Sequence, residues 1–450
     1  MHPIFSVRPE EIQSLTDVQA RELIARLCKS ELRARGISTA AVSWGGDQRA
    51  KDGGVDVRVD VSPPLGIGGY IKKDRCAFQV KAETFSASKI PGEMAPKGVV
   101  RKALTDLAAS GGAYVIASTR DNLSDSSLAD RKAAMELCLS SFSMAGKIEV
   151  DFFDCRRIAD WVEQYPAMVI WVKVASGKPL VGWRPYGPWA YLENDADSEY
   201  LIDDRVKVFV PNADEGSDVS SAIMRLRTDL SKNVSVRMVG LSGVGKTRLV
   251  QALFDKRICP GKPALDSENV IYADLSDALT PQPGMMVEAL VQSDSDCIVV
   301  VDNCGQDVHR RLTEIAKRPG SAIRLITVEY DIRDDLPEDT ACYRLEGSSD
   351  EIIKRLLKRR FSLLSENDID KIAEFSDGNT RVAYALASTS ATSGELARLR
   401  DSELFHRLFH QKNVESSELL NCAEAASLLY SFDGEDTSQG SEISIFGRVG

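Results

Sequence analysis

The stretch GLSGVGKT, residues 240–247, constrains the fold of this chain more than any other feature of its sequence. It follows the strand-like run VSVRMV and precedes the helical run TRLVQALFD. In the pattern G-x-x-x-x-G-K-[ST], backbone N–H groups surround a phosphate, and the N-terminus of the helix adds favourable partial charge. We therefore predict a nucleotide-binding loop that comprises Gly240, Gly243, Val244, Gly245, Lys246, Thr247 and Arg248.

A second element of the same site follows in the run CIVVVDN. There Asp302 ends an apolar strand, where a carboxylate can hold Mg²⁺ through water while the Thr247 hydroxyl binds the ion directly. The predicted cofactors are ATP and Mg²⁺. Asn303 follows in place of a carboxylate. Because an amide cannot accept a proton from water, we expect slow hydrolysis and a nucleotide that serves mainly as a switch.

From about residue 203 onward the chain resembles the STAND class of signal-transducing P-loop ATPases, which are related to AAA+ proteins. The resemblance rests on GVGKTRLV, on VVVDN and on FSDGNTRVAYALA in the helical part. It implies that Arg381 is a phosphate sensor, although an exposed helix residue would look the same in sequence. Thr380 replaces the proline of that class, and Glu329 lies near the position where relatives often have an arginine that touches the γ-phosphate.

Three polar residues in two strand-like runs form a candidate metal site. Asp56 lies in DGGVDVRVD, and Gln79 and Lys81 lie in CAFQVKAE. Alternation along a strand puts Gln79 and Lys81 on one face, and Asp56 faces them if the two strands are neighbours. Phosphodiester hydrolysis needs a divalent cation, for which Asp56 would supply a carboxylate and Gln79 a neutral oxygen. Lys81 would orient the attacking water.

This combination, with the element order α-β-β-β-α-β, resembles the Mrr-like branch of the PD-(D/E)xK nuclease superfamily over residues 10–175. The resemblance implies a Glu from the first helix, and Glu22 in ARELIARL stands in the expected place. Helices of this kind also carry solvated Glu residues routinely. Because Gln79 replaces a carboxylate, the site has one negative charge less, and we predict dependence on millimolar Mg²⁺ or Mn²⁺.

The length of 450 residues exceeds what one hydrophobic core usually organises, so we expect several domains. The expected fold class is α/β, with a restriction-endonuclease-like domain ahead of a parallel-sheet P-loop ATPase of the STAND/AAA+ kind that has a helical subdomain. The expected ranges are 1–178 for the Mrr-like nuclease, 179–210 for a linker, 211–345 for the ATPase core, 346–412 for the helical lid and 413–450 for the start of a winged-helix-like or sensor-linking region, expected to be truncated.

Charge and composition narrow the class of partners. The net charge is −11, but residues 1–180 hold 25 Lys and Arg against 22 Asp and Glu, whereas the rest holds 31 against 45. Any nucleic-acid contact is therefore expected in the first part. The sequence shows no apolar run long enough to span a bilayer, no signal peptide and, among nine cysteines, no C-x-x-C pair. We expect a cytoplasmic protein with reduced cysteines and no membrane partner.

A nuclease ahead of a STAND ATPase resembles the antiviral STAND proteins of bacteria and archaea. The resemblance implies antiphage defence, in which a C-terminal sensor, expected to be missing here, recognises a phage protein. ATP-bound subunits then form homo-oligomers, commonly tetramers, whose effector domains cut double-stranded DNA. Two alternatives stay open. An ATP-dependent restriction endonuclease would show vigorous DNA-stimulated ATP turnover, and a non-catalytic DNA-binding STAND regulator would keep its biological effect in Lys81→Ala.

Overall fold

The computed structural model describes residues 3–45, 55–190, 200–203, 205–210, 215–232, 235–261, 263–329 and 340–393. Gly53 and Gly54, which precede the candidate metal site, lie outside these residues, as does the expected C-terminal range 413–450. Within the described ranges, every helix is too short or too polar to cross a bilayer.

The N-terminal unit is built on a five-stranded sheet with the spatial order β1-β2-β3-β4-β5. The strands are β1 Val42–Trp44, β2 Val57–Asp60, β3 Arg75–Lys81, β4 Ala113–Ser118 and β5 Glu149–Phe153. The first three strands pair antiparallel, and β3, β4 and β5 pair parallel. All six residues of β4 are buried, which is typical of a parallel strand that helices cover on both faces.

Helices lie on both faces of this sheet. They are α1 Pro9–Gln13, α2 Asp17–Ala34, α3 Ile90–Met94, α4 Lys102–Ser110, α5 Asp125–Ser141, α6 Cys155–Glu163 and α7 Pro166–Ala175. A capping box begins α2, in which Thr16 Oγ1 accepts from the Gln19 N–H at 3.3 Å and Gln19 Oε1 accepts from the Thr16 N–H at 2.9 Å.

The second unit is built on an eight-stranded sheet with the order β6-β10-β11-β12-β9-β13-β7-β8. The strands are β6 Trp183–Pro185, β7 Lys207–Phe209, β8 Ser217–Asp218, β9 Val236–Val239, β10 Val270–Asp274, β11 Asp296–Asp302, β12 Ala322–Val328 and β13 Ala341–Leu345. The five central strands are parallel, and the outer strands pair antiparallel. Two strands, β6 and β7, come from the range 179–210 that we predicted as a linker.

The helices of the second unit are α8 Tyr186–Ala190, α9 Val219–Ser231, α10 Lys246–Ala252, α11 Pro283–Gln292, α12 Gln306–Ala316, α13 Asp350–Arg360, α14 Glu366–Ser376 and α15 Thr380–Ser393. The last three form a helical bundle, as the helical patterns beyond residue 350 predict. Its apolar core includes Ile353, Leu357, Ile372 and Leu386. The bundle therefore has its own core, and Ile352 and Leu356 of α13 also pack against the core of the second sheet.

The two units share an interface that centres on α2 and α7. One cluster of buried apolar residues extends from these helices to Trp183 of β6 and into β10 and β11. In addition, Arg26 of α2 forms an ion pair with Glu268, and Arg33 of α2 forms one with Asp266. Both acidic residues belong to the segment that leads into β10. The N-terminal unit is thus joined to the second sheet by apolar packing and by largely buried charges.

Asp266→Asn is expected to flatten the pH dependence of stability. Burial raises the pKa of Asp266 from 3.8 to about 6, against the opposing charge of Arg33. The folded state therefore holds the Asp266 proton more tightly, and this contribution to stability is lost as pH rises from 3.8 through about 6. From pH 4 to pH 7, the difference in unfolding free energy between the variant and wild type should therefore shift in favour of the variant by on the order of 2–3 kcal/mol.

Urea unfolding at several pH values measures this difference. Asp277→Asn is the matched control, because Asp277 is 41% exposed and pairs with Arg184 on the surface. A difference between Asp266→Asn and wild type that stays constant from pH 4 to pH 7 would contradict the assignment of a raised pKa to Asp266.

Candidate functional sites

The phosphate loop connects β9 to α10, as predicted. Gly240, Gly243 and Gly245 have φ angles of 140°, 84° and 100°, which residues with a side chain rarely adopt. A methyl group on Gly240 would overlap the carbonyl oxygen of Leu345 at the end of β13. Glycine at these positions therefore permits both the turn of the loop and the close approach of the neighbouring strand.

Lys246 begins α10, and its side chain folds back into the loop. Its Nζ donates hydrogen bonds to the carbonyl oxygens of Gly240 and Leu241, both at 2.7 Å. Burial lowers the pKa of Lys246 to about 8; the charge of Asp302 opposes this shift and the charge of Arg381 reinforces it. An anion bound in the loop would offset the burial of this ammonium by giving it a partner of opposite charge.

Asp302 ends β11, and the structure brings it to Thr247. Thr247 Oγ1 donates to Asp302 Oδ2 at 2.6 Å, and Tyr272 Oη donates to the same oxygen at 3.2 Å. Burial raises the pKa of Asp302. A hydroxyl and a carboxylate so close together fit a hydrated Mg²⁺, which prefers oxygen ligands and would neutralise charge on bound phosphates.

Asp274 is a second carboxylate at this edge of the sheet, and sequence analysis missed it. β10 and β11 are parallel, and Asp274 pairs in register with Asp302. Asn303 Nδ2 donates to Asp274 Oδ1 at 2.7 Å. The signal was present in NVIYAD, where Asp274 ends an apolar strand as Asp302 does. The expectation of slow hydrolysis, which rested on Asn303 alone, stays a prediction.

Asn379, which directly precedes α15, and the first two residues of α15 contact the phosphate loop. Asn379 Nδ2 donates to the carbonyl oxygen of Ser242 at 2.8 Å, and Arg381 Nη1 donates to Ser242 Oγ at 2.9 Å. The backbone N–H of Thr380 donates to the carbonyl oxygen of Gly243 at 3.0 Å. A proline at position 380 could not make this bond, which gives the departure from the STAND pattern a physical basis. Arg381 reaches the loop, and its role as a sensor stays a prediction.

The side chain of Glu329 is paired within the second sheet. It follows β12 and forms an ion pair with Arg237 of β9, and both side chains are largely buried. A buried pair of this kind is stable only while both partners are present, because either charge alone would lack compensation for its lost hydration. Glu329 therefore neutralises Arg237 within the second sheet.

A cavity of about 1100 Å³ adjoins the phosphate loop. Four predicted nucleotide-binding residues line it, namely Val244, Gly245, Thr247 and Arg248. Residues 200–203 and α13 also line the cavity, and sequence analysis had singled out neither as part of the site. The Arg248 guanidinium lies 3.9 Å from the ring centre of Tyr200, which fixes it by a cation–π contact. The volume and the mixed apolar and charged lining suit a nucleotide.

Gly243→Ala is expected to weaken nucleotide binding by about tenfold. The φ of 84° disfavours alanine, and the added methyl would overlap Asn379 Oδ1, so residues 379–381 would move away from the loop. Titration with a fluorescent ATP analogue measures the affinity. In the control Gly261→Ala, the added methyl meets no atom within 4 Å. Equal affinities of the two variants would contradict the expectation.

The predicted pair of Asp56 and Gln79 is brought together in the N-terminal unit. β2 and β3 are adjacent and antiparallel, and Asp56 lies one residue before β2. Its Oδ2 accepts hydrogen bonds from Gln79 Nε2 at 2.6 Å and from the Val80 N–H at 2.7 Å. Burial raises the pKa of Asp56, although the hydrogen bond from Val80 opposes the shift.

These two residues fit a divalent cation in part. Gln79 Oε1 is buried and accepts no hydrogen bond from the described residues, so a neutral oxygen lies beside a carboxylate without a partner of its own. In the described part of the chain, no group of three or more His, Cys, Asp and Glu side chains is arranged to hold a metal ion. A cation here would therefore depend on Asp56, Gln79, backbone carbonyl groups and water.

Lys81 ends β3 on the same face as Gln79, as strand alternation predicts. Its Nζ lies 2.7 Å from Oε2 of Glu93, a residue of α3, and Glu93 also pairs with Arg101 at 2.8 Å. Sequence analysis missed Glu93. The segment between β3 and α4 has no long periodic pattern that would place one of its residues against the strand.

Glu22, predicted to contribute to the metal site, has a partner on its own helix, and its role at that site stays a prediction. Glu22 Oε1 accepts from Arg26 Nε at 2.8 Å, and Arg26 pairs with Glu268 across the interface between the units. Glu22 therefore belongs to a chain of charged contacts that leads from α2 to the second unit.

The second unit combines a sheet with a parallel centre, a glycine-rich phosphate loop between β9 and α10, and the helical bundle α13–α15. β12 separates β9 from β11, and the loop lies at the edge where these parallel strands end, as ligand sites do in open α/β sheets. The predicted α/β class, with a parallel sheet and a helical subdomain, is confirmed, and the assignment to the STAND/AAA+ kind stays a prediction. The relation of the N-terminal unit to nucleases stays a prediction.

No protein family and no curated protein matches the sequence. Similar solved structures include a STAND protein with a tetratricopeptide repeat sensor from Pyrococcus horikoshii, with 14% identity and a TM-score of 0.28, over 46% of this chain and 34% of that one. PCH-2 from C. elegans has 13% identity and a TM-score of 0.26, over 42% and 65%. Domain III of the replication initiation protein DnaA from Thermotoga maritima has 17% identity and a TM-score of 0.25, over 42% and 89%.

Proposed function

We propose that the chain is a nucleotide-gated, metal-dependent DNA endonuclease, in which the ATPase unit controls the N-terminal unit. The observation that carries this proposal is the convergence of Asp56 and Gln79, at 2.6 Å, with Lys81 next on the same face of β3. A carboxylate, an amide oxygen and an ammonium in this arrangement suit hydrolysis of a phosphodiester.

Each of the three side chains has a distinct role in this proposal. Asp56 and Gln79 supply oxygen ligands, and bound Mg²⁺ would stabilise negative charge on the scissile phosphate. Lys81 orients the attacking water and balances the negative charge that develops. In the second unit ATP is the proposed ligand, with Lys246 at the phosphates and with Thr247 and Asp302 as the Mg²⁺ residues.

The wider proposal follows the resemblance to antiviral STAND proteins. The substrate is double-stranded DNA, the trigger is a phage protein, and the active form is a homo-oligomer, with a tetramer favoured. The position of α2 supports a link between the two units, since its Arg33 and Arg26 pair with Asp266 and Glu268 while the same helix packs against β2 and β3, the strands that position Asp56 and Gln79. A change in the ATPase unit would therefore reach the N-terminal site through one helix.

The proposal is tested with linear and supercoiled DNA, Mg²⁺ and ATP. Lys81→Ala is expected to reduce cleavage by at least about a hundredfold, since the water would lose its orienting group. Lys89→Ala is the matched control, because Lys89 is 49% exposed and pairs with Glu83. The proposed function is wrong if Lys81→Ala cleaves DNA as fast as Lys89→Ala does.

A non-catalytic DNA-binding regulator is the second candidate. The observation that favours it is the engagement of Lys81 by Glu93, which places a carboxylate where a substrate phosphate would need the ammonium. DNA binding that is equal in wild type and Lys81→Ala, with no cleavage by either protein at any Mg²⁺ or Mn²⁺ concentration, would establish this candidate.

A further inference from the structure

Lys81 is held in place by a partner outside its own strand. Its Nζ donates to Glu93 Oε2 at 2.7 Å, and the two side chains are only 16% and 13% exposed. The same ammonium lies 5.4 Å from the ring centre of Phe85. Ion pairs on an open surface contribute little, but pairs that are largely removed from water depend on both partners. The contact with Glu93 is therefore a structural constraint on Lys81.

Glu93 is in turn fixed by Arg101, the residue that precedes α4. Arg101 Nη2 donates to Glu93 Oε1 at 2.8 Å, and Arg101 Nε donates to the backbone carbonyl oxygen of Glu93. Each carboxylate oxygen thus has one cationic partner, and one guanidinium holds both the side chain and the backbone of Glu93. This leaves the carboxylate little freedom to follow a moving lysine.

The contact with Glu93 determines where the Lys81 ammonium lies relative to the other residues of the site. Lysine has a flexible four-carbon stem, and its ammonium can occupy many positions unless a partner selects one. Gln79 and the Val80 N–H are already fixed by Asp56. With Glu93 in place, the ammonium of Lys81, the next residue on β3, is fixed as well. The carboxylate also separates two cations, Lys81 and Arg101, that would repel each other without it.

We propose that Glu93 is a positioning residue of the N-terminal site, which holds the Lys81 ammonium beside Asp56 and Gln79 in the orientation that water activation requires. The inference rests on the proposed nuclease function. In the proposed role Glu93 acts through Lys81 and does not contact the substrate. Its loss should lower the rate of the bound complex, kcat, and leave KM for DNA within about twofold.

The test uses the full chain with Glu93→Gln, Glu93→Asp and the matched control Glu83→Gln. Glu83 is 59% exposed and pairs with Lys89 at 3.2 Å on the surface. Glu93→Gln should lower kcat by about ten- to a hundredfold. Glu93→Asp, which keeps the charge on a shorter side chain, should recover part of the rate, and Glu83→Gln should resemble wild type. Thermal unfolding checks that all three variants fold.

A second readout does not depend on cleavage. Acetic anhydride acylates accessible lysine amines, and mass spectrometry follows the labelling of Lys81 in each protein. Because the carboxylate covers and holds the ammonium, Glu93→Gln should increase the labelling rate of Lys81 several-fold and Glu83→Gln should not. An unchanged labelling rate of Lys81 in Glu93→Gln would overturn the inference.

The cleavage results separate the inference from the function on which it rests. Strong loss in Lys81→Ala together with full kcat in Glu93→Gln would overturn the positioning role and leave the proposed nuclease intact. Equal cleavage by wild type and Lys81→Ala would overturn the proposed function, and the inference with it. The expected result is a lower kcat in Glu93→Gln, with KM kept within about twofold, and partial recovery of kcat in Glu93→Asp.

Discussion

Lys246→Ala is expected to weaken ATP binding by at least roughly a hundredfold, since hydrogen bonds to a charged donor contribute about 1.5–3 kcal/mol each and this ammonium would make more than one to the phosphates. The ammonium already lies inside the loop, where it donates to Gly240 and Leu241. Isothermal titration with ATP and Mg²⁺ measures the affinity. The substitution should leave the fold intact, because the loop carbonyl groups can turn to water.

The pH dependence gives a further check on the same residue. Burial lowers the pKa of Lys246 to about 8, so in the free protein the ammonium loses its proton as pH rises through that value. ATP affinity should therefore decrease above pH 8 in wild type and change less in Lys246→Ala. Lys232→Ala, at an exposed position after α9, is the matched control. Affinity equal to wild type in Lys246→Ala would rule out the phosphate-binding role of this loop.

Asp56→Asn is expected to reduce DNA cleavage by at least about a thousandfold, because it replaces the only charged ligand proposed for the cation while keeping the shape of the side chain. Burial raises the pKa of Asp56, so the uncharged amide is tolerated in the fold. The carboxylate form that binds the cation is lost as pH falls through this raised pKa. Wild-type cleavage should therefore decrease on the acid side at a higher pH than an exposed Asp would give.

Asp60→Asn is the matched control for this prediction. Asp60 lies at the other end of β2, is 54% exposed and pairs with Arg75 on the surface. Cleavage assays with a Mn²⁺ titration compare the two variants. Asp56→Asn that cleaves as well as Asp60→Asn at saturating Mn²⁺ would contradict the role of Asp56 as a ligand.

Sequence patterns located the functional groups that lie within one strand or directly beside it. The phosphate loop and Asp302 are each defined by a strand and the residues next to it, and the structure joins Thr247 to Asp302 as expected. Asp56 and Gln79 were paired on the assumption that two consecutive strands are neighbours, and that assumption is correct. Hairpin-like neighbours are common, because sequential strands usually pair.

Contacts between distant segments were not predictable in the same way. Glu93 reaches Lys81 from a five-residue helix, and no periodic pattern of that length assigns a direction to a side chain. Glu22 pairs with Arg26, which pairs with Glu268 of the second unit, and only the packing of α2 decides which of its side chains lie at that interface. β6 pairs with β10 across a long separation in sequence, whereas its own three residues resemble a turn-rich connection.

The interface through α2 has a consequence for building chimaeras. Effector units of multidomain proteins are often treated as cassettes that can be exchanged at a linker. Here the N-terminal unit does not end at a linker, because β6 is itself a strand of the second sheet. In addition, Arg26 and Arg33 of the N-terminal unit form ion pairs with Glu268 and Asp266 of the second unit. A foreign N-terminal unit would remove Arg33, the ion-pair partner of the largely buried Asp266, so a graft must also redesign residues 266–268.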